Sequence, residues 1–427
     1  MKNKVKGFTL VELLAVIVIL ATILVIAVPK ITDTIKNSKI ASFESSAKTI
    51  ASQAEKKKME NEILDNTNLI NCNNLVKLSN SDYISCSIYF DSNNNALVTL
   101  YGSGKFEGLQ IINGTKENAK AEEIKAPVYG NAVNYVNGLY AYDASSNGLE
   151  RDTTSDANIR YVGANPNNYV EFNGEAWRII GVFGSNLKLV RDEILTTYSF
   201  DNKTTVQGID SNYGTNDWTK SYLREFLNDY YYGGKTITCH SETSGSTATN
   251  ATITCPDINK INDTAKSMIQ NTTWTLGGTT YKTSNPPHET YPVNELYTSE
   301  RGTQVYSKHA TTSSDYIGLI YPSEYGYAST DTSCRQNLRT GLTYTNNTYG
   351  GTPTCKNNNW LYKGVWYWTI SPYLSNAIGV FSVGGDGFLY DYGALYRGSV
   401  RPSVYLKSDI KIVSGSGTKD DMFKLEI

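Results

Sequence analysis

Histidine is nearly missing from this chain: among 427 residues only His240, His288 and His309 occur, far apart and without ligand spacing around them. Zinc sites and histidine general bases therefore start with little material. A charge excess is lacking too. Lys and Arg number 39 against 41 Asp and Glu, a net charge of −2, so no bulk field favours nucleic acid. The six cysteines contain no Cys-x-x-Cys, which disfavours zinc ribbons and thioredoxin-like redox work. No Ser/His/Asp or Cys/His arrangement and no paired-acid motif stands out. An enzyme is not expected, nor a cofactor, nor a metal.

What is present begins with the cysteines themselves. They fall as Cys72/Cys86, Cys239/Cys255 and Cys334/Cys355, neighbouring pairs that suggest three local disulfides and an exported chain. Six cysteines allow fifteen pairings, so connectivity stays open. The middle pair is the most persuasive, because Thr236–Cys239 and Thr252–Cys255 repeat the tetrad TITC around a Ser/Thr/Gly-rich stretch, as a stapled hairpin would. Tyrosine is abundant, 32 against 11 Phe and 6 Trp. Tyr-rich surfaces suit recognition. An AT-rich genome, which also inflates Asn, Lys and Ile, accounts for the same count and is the preferred explanation.

At this length two or three folded units are the natural expectation. The first thirty residues hold an apolar run, Phe8–Val28, of 21 residues. As a helix it crosses a hydrocarbon core of roughly 30 Å. Lys2, Lys4 and Lys6 precede it, which predicts a cytoplasmic N-terminus and the bulk of the chain outside. A secretory signal peptide fits poorly: the run is long, no A-x-A site follows, and helical patterning continues beyond it. Phe43, Ala47, Ile50 and Ala54 recur at spacings of three and four, as one helix face requires. The prediction is one helix of some fifty residues, half membrane-spanning and half amphipathic, bent at Pro29. Glu12 is the anomaly, since a carboxylate deep in a bilayer costs roughly 2.5–3.5 kcal/mol on insertion scales.

Lys6-Gly7-Phe8-Thr9-Leu10-Val11-Glu12 resembles the class III prepilin signal of type IV pilins and type II secretion pseudopilins. The resemblance covers the first thirty to sixty residues. It implies cleavage between Gly7 and Phe8 by prepilin peptidase, N-methylation of Phe8, and a bend at Pro29. It also implies assembly with other pilin or pseudopilin subunits in the inner or plasma membrane. Glu12 becomes the fifth mature residue, expected to meet the N-terminal amine of a neighbouring subunit. A carboxylate paired with an ammonium is far cheaper in an apolar bundle than one alone, so the pair acts as a register device. The plainer alternative is a carboxylate near the interface that snorkels into the headgroups.

Beyond the leader (1–7) and helix (8–60), residues 61–125 read as a small pilin-like antiparallel sheet. Its strands are expected at Tyr83–Phe90, Ala96–Tyr101 and Lys105–Ile112, with a short helix at Leu75–Leu78. Asp91–Asn95 superficially looks like a calcium loop, but its distal ligand position is Gly102, so a β-turn is expected. Residues 126–157 read as a linker, with a charged helical stretch, KENAKAEEIKAP, leading into it.

Residues 158–427 form an extracellular domain of short strands and turns. Strands are expected at Tyr169–Phe172, Ala176–Phe183, Leu187–Arg191, Tyr316–Tyr321, Ile378–Val383, Gly387–Tyr392 and Val404–Leu406. Helices are expected at Thr219–Tyr230 and ahead of Pro286. The fold class is α+β, with a mixed, mainly antiparallel sheet. WRIIGVF, SYLREFLN, YWTISP and RGSVRPSVYLK in this order resemble bacterial extracellular domains related to C-type-lectin-like and formylglycine-generating-enzyme folds. That implies a compact binding domain and imports no function. The calcium-ligating EPN, QPD and WND signatures of sugar-binding lectins are missing, with Thr215-Asn216-Asp217-Trp218 a faint echo, and no copper-loading cysteine pair is identifiable. Gly384–Gly387 reads as a hairpin turn rather than a phosphate cradle. Trp360, Trp366 and Trp368 are either core or ligand-stacking aromatics, with core favoured. Arg178, Arg191 and Arg401 are expected as structural salt-bridge partners. The sequence thus predicts a prepilin-like subunit, minor pilin or pseudopilin, displaying a large domain for a glycan or surface ligand. The alternative is a membrane-anchored adhesin or carbohydrate-binding protein that borrows the segment as an anchor.

Overall fold

The structure, a computed structural model, describes residues 10–63, 70, 72–76, 78–79, 81–206, 209–210, 213–242, 247–280, 282–284, 288–338 and 353–427. The chain divides into two compact units, Met1–Ile124 and Lys125–Ile427.

The first unit is built on one helix, α1 (Leu10–Ile63), which passes through Pro29 unbroken. Proline has no amide proton to give the carbonyl four residues back, so one rung is lost at Val25 while the helix continues. Past Ile40 the predicted face turns inward: Phe43, Ala47, Ile50 and Ala54 are fully buried, and Ala51 joins them. They pack on a four-stranded antiparallel sheet of β1 (Tyr83–Phe90), β2 (Ala96–Gly102), β3 (Leu109–Gly114) and β4 (Glu122–Glu123), in that order. Phe43, Tyr83 and Phe106 meet with centroids 5.0–5.9 Å apart. The edge of the helical stripe carries two carboxylates, about three turns apart. Glu44 accepts the Ala121 amide at 3.0 Å, and Glu55 accepts the Ala96 amide at 3.1 Å while pairing with Lys116 at 2.7 Å.

Two local expectations change here. The short helix α2 lies at Cys72–Leu75 rather than Leu75–Leu78. The Val76 amide closes back on Cys72, and the Cys72–Cys86 disulfide ties this turn to β1. The charged stretch 116–127 is not helical: Glu122–Glu123 pairs with β3, and Gln110 donates to Glu122 at 2.9 Å. An open sheet edge outbids helix propensity, and its charges blunt the new edge. The Asp91–Asn95 segment is the expected turn, with the Asp91 carboxylate accepting the Asn93 and Asn95 amides at 2.8 Å.

The second unit takes in residues 126–157, expected to be a linker. They hold a helix, α3 (Ala132–Asp143), capped by Asn131 and buried at Val133 and Val136, followed by β5 (Leu149–Arg151). In chain order come β6 (Ile159–Tyr161), β7 (Tyr169–Phe172), β8 (Glu175–Phe183), β9 (Asn186–Arg191), β10 (Thr196–Ser199), β11 (Ile317–Gly318), β12 (Tyr367–Pro372), β13 (Gly379–Val383), β14 (Leu389–Gly393), β15 (Arg397–Val400) and β16 (Ser403–Tyr405). One sheet runs β11-β16-β9-β8-β6-β5, with β7 added on β8; the other runs β10-β15-β12-β13-β14. Pairing is antiparallel except between β12 and β15. β8 is central and buried over Trp177–Val182, so its hydrophobic run is continuous rather than alternating. Gly181 is required where β6 crosses close by: a Cβ there would sit 2.2 Å from the Ile159 carbonyl oxygen.

The helix expected at Thr219–Tyr230 is composite, with a 3₁₀ turn at Trp218–Lys220, an α-turn at Tyr222–Glu225 capped by Ser221, and a π-helical Phe226–Tyr232. Leu223, Phe226 and Leu227 face the core, and widening the helix at Phe226 brings the Asn228 carbonyl to the Gly233 amide at 3.0 Å. Ahead of residues 285–287, which lie outside the described residues, the chain forms a helix at Asp263–Met268 and a strand at Lys282–Ser284.

The most demanding element of this unit is ionic. The Lys188 ammonium on β9 sits 2.7 and 2.9 Å from the two Glu324 oxygens, with both side chains fully buried. Tyr321 and Trp274 face the ammonium at 4.5 and 4.8 Å. Burial pulls the Lys188 amine down to about 8, against the pull of the Glu324 carboxylate. Breaking such a pair is costly because it strands the partner's charge. Lys188→Met is expected to destabilise by about 3–5 kcal/mol. The double variant Lys188→Met/Glu324→Leu should recover much of that loss, read as the denaturant midpoint of tryptophan fluorescence.

Candidate assembly helix and surface sites

The apolar half of α1 is uncovered among the described residues. From Leu10 to Val28 the described side chains are exposed, and the helix is long and apolar enough there to cross a membrane. Thr22 and Thr32 fold their hydroxyls back on the carbonyls of Val18 and Val28, at 2.7 and 2.9 Å, and so hide polar groups on this surface. Glu12 lies on α1, two residues into its described part. Gly7 and Phe8 lie outside the described residues. The apolar surface continues past Pro29 with Ile31 and Ile35, both exposed. There an open groove of about 690 Å³ separates α1 from the Gly104–Leu109 turn; Lys36, Lys39 and Lys105 line it together with Glu107 and Glu123.

The cysteines form the three neighbouring pairs, with Cα separations of 6.1 Å for Cys72–Cys86, 5.2 Å for Cys239–Cys255 and 5.6 Å for Cys334–Cys355. The TITC tetrads do meet: Cys239–His240 pairs antiparallel with Thr252–Ile253 beside the disulfide. Bridges spanning 14, 16 and 21 positions each stabilise by about 3 kcal/mol in a chain-entropy account.

The tryptophans separate. Trp360 and Trp368 are buried, their indole N–H groups donating to Tyr161 at 2.8 Å and Tyr198 at 2.9 Å, so neither can stack on a ligand. Trp366 alone is half-buried at the surface, 5.1 Å from Trp368. Of the arginines, Arg191 pairs with Glu175 at 2.6 Å as expected. Arg178 instead donates to Asn168, Tyr169 and the Pro166 carbonyl, and Arg401 to the Arg191 and Leu361 carbonyls, each guanidinium lying over a tyrosine ring. Asn216 of the TNDW stretch donates to the carbonyls of Tyr373, Asn376 and Gly379, a structural clamp. His240 stacks on Tyr222 at 4.1 Å, and burial holds His309 below the ordinary histidine value. The side chain of His288 lies outside the described residues. Gly384–Gly387 is the turn between β13 and β14, with the Gly384 amide donating to Phe388 at 2.7 Å.

Sequence reasoning missed the aromatic surface beside Trp366. Its ring lies 5.2 Å from Tyr392, which lies 5.7 Å from Tyr390 and 6.3 Å from Tyr396. The alternation Tyr390-Asp391-Tyr392 on β14 was the available signal, because residues two apart share a strand face.

The family model of the prokaryotic N-terminal methylation motif matches residues 2–28. The segment that feeds α1 thus carries a type IV pilin-like prepilin signal. The match supports a pilin-like, prepilin-processed protein, anchored by its N-terminal helix, with prepilin peptidase, other pilins and the membrane as implied partners. No curated protein and no solved structure matches the chain. The lectin-like resemblance of residues 158–427 therefore rests on sequence pattern alone. Replacing Gly7 by Leu is expected to leave an unprocessed precursor in the membrane, read as a retained seven-residue leader (residues 1–7) by intact-mass analysis; normal processing would refute the signal.

Proposed function

We propose that this chain is a low-copy subunit, a minor pilin or pseudopilin, of a type IV pilus-like or type II secretion-like filament. It enters the filament through α1 and displays its second unit as a binding domain rather than as an enzyme. The observation that carries this reading is the continuity of the methylation motif with a single helix. One end of that helix presents uncovered apolar surface, and the other is locked to its own sheet. Exposed Ile31 and Ile35 extend the apolar surface beyond the span, as a packed helix bundle requires. The size of the second unit, Lys125–Ile427, favours a low-copy position, since a bulky domain repeated along a fibre must find room at every step. Within the bundle Glu12 would neutralise the methylated amine of Phe8 in a neighbouring subunit and so set axial register.

Mass spectrometry of the N-terminal peptide, taken separately from sheared surface filaments and from membranes, tests this. A peptide beginning at methylated Phe8 in the sheared fraction is expected. A processed peptide confined to membranes would point to a pseudopilin that stays at the base, and an intact Met1 would refute the filament reading. Glu12→Ala should be cleaved normally yet fall at least several-fold in the sheared fraction; wild-type incorporation would remove the charge-pair register.

A further inference from the structure

Resting on the reading of the second unit as a displayed binding domain, we propose that the aromatic shelf on the edge of the five-stranded sheet binds a neutral oligosaccharide. β14 is the edge strand of that sheet, and Tyr390 and Tyr392 project from one face of it. Trp366 and Tyr396 flank Tyr392 at centroid distances of 5.2 and 6.3 Å, tilted by 50° and 79° to its ring, so the three rings form an angled cleft about the breadth of a sugar ring rather than a flat row. Tyr213 closes one end near Gly393.

Part of this cluster has a purely structural explanation. Trp366 rests on Gly398 and Tyr390 on Gly384, where a Cβ would fall 2.5 and 2.6 Å from the rings, so these aromatics cover bare strand backbone. That account does not reach Tyr392, Tyr396 and Tyr213, which remain 38%, 39% and 41% exposed. Tyr392 and Tyr396 meet edge to face, and at that exposure each still presents ring surface to solvent.

The polar groups choose the ligand. Asp386, exposed at the rim, accepts the Tyr390 hydroxyl at 2.6 Å, and among the described residues no lysine or arginine is seen over the rings of Trp366, Tyr392 or Tyr396. A carboxylate without a cation repels nucleic acid and anionic lipid, and it accepts hydrogen bonds from hydroxyls. Flat aromatic faces beside an acceptor match a sugar ring, which is apolar on its C–H face and lined with hydroxyl donors at its edge.

The test uses the full-length chain in lipid nanodiscs, free of sugar detergents, on an array of neutral and N-acetylated hexasaccharides. Binding is expected, falling about tenfold or more in Tyr392→Ala and Tyr396→Ala. It should persist in Tyr392→Phe, which keeps the ring, and in Tyr142→Ala, an exposed tyrosine on α3. Hexasaccharide binding untouched by either shelf variant would overturn the site. No binding by the wild-type chain, or capture of a protein partner through these tyrosines instead, would overturn the ligand class. Filament incorporation is read separately: a subunit present in sheared filaments that binds no sugar sinks this inference alone, and one that binds sugar but never enters filaments sinks the display reading alone.

Discussion

One constraint governs the first unit: α1 must satisfy two solvents with a single unbroken rod. From Leu10 to Val28 its side chains suit hydrocarbon, and from Phe43 to Ala54 one stripe suits a protein core. A helix can do both because its backbone hydrogen bonds are internal, leaving only the side chains to choose a medium. The sheet then has one task, to cover the second stripe, and Glu44 and Glu55 fix where it sits by holding the Ala121 amide and the Ala96 amide at the start of β2 against the helix edge.

The second unit solves a different problem. Its core admits ions, with Lys188 and Glu324 fully buried and Arg160 held by Asp152 at 2.5 Å. Such pairs add little net stability over well-packed apolar groups, but they penalise any arrangement that separates them. In a domain of many short strands with similar aromatic surfaces, that penalty discriminates between registers that hydrophobic burial alone would tolerate.

Much of this was legible in the sequence wherever local pattern and tertiary need agree. β1 and β7 occupy the residues expected from their turn-bounded patterns, and the α1 stripe follows its three-and-four spacing. The α+β class holds on the same grounds. Legibility failed where a distant partner decided. Residues 116–127 gave up helix, with Glu122–Glu123 taking the open edge on β3, and the strand expected at Tyr316–Tyr321 shrank to Ile317–Gly318 because Tyr321 starts the helix Pro322–Tyr327. The aromatic shelf was only partly legible, through the Tyr390–Tyr392 alternation, because Trp366, Tyr392, Tyr396 and Tyr213 are brought together by strand pairing and loop closure rather than by one helix or strand.

The disulfides carry a consequence for the order in which the chain can fold. Each joins cysteines within 21 positions of one another, and none links one unit to the other. If the chain folds from its first unit towards its second, each thiol meets its neighbour before the next pair is available. Short loops close fast, and a cysteine already oxidised is no longer available for error. Fifteen conceivable connectivities collapse to one by order of arrival. Folding in that order would complete the covalent framework before the C-terminal strand is in place.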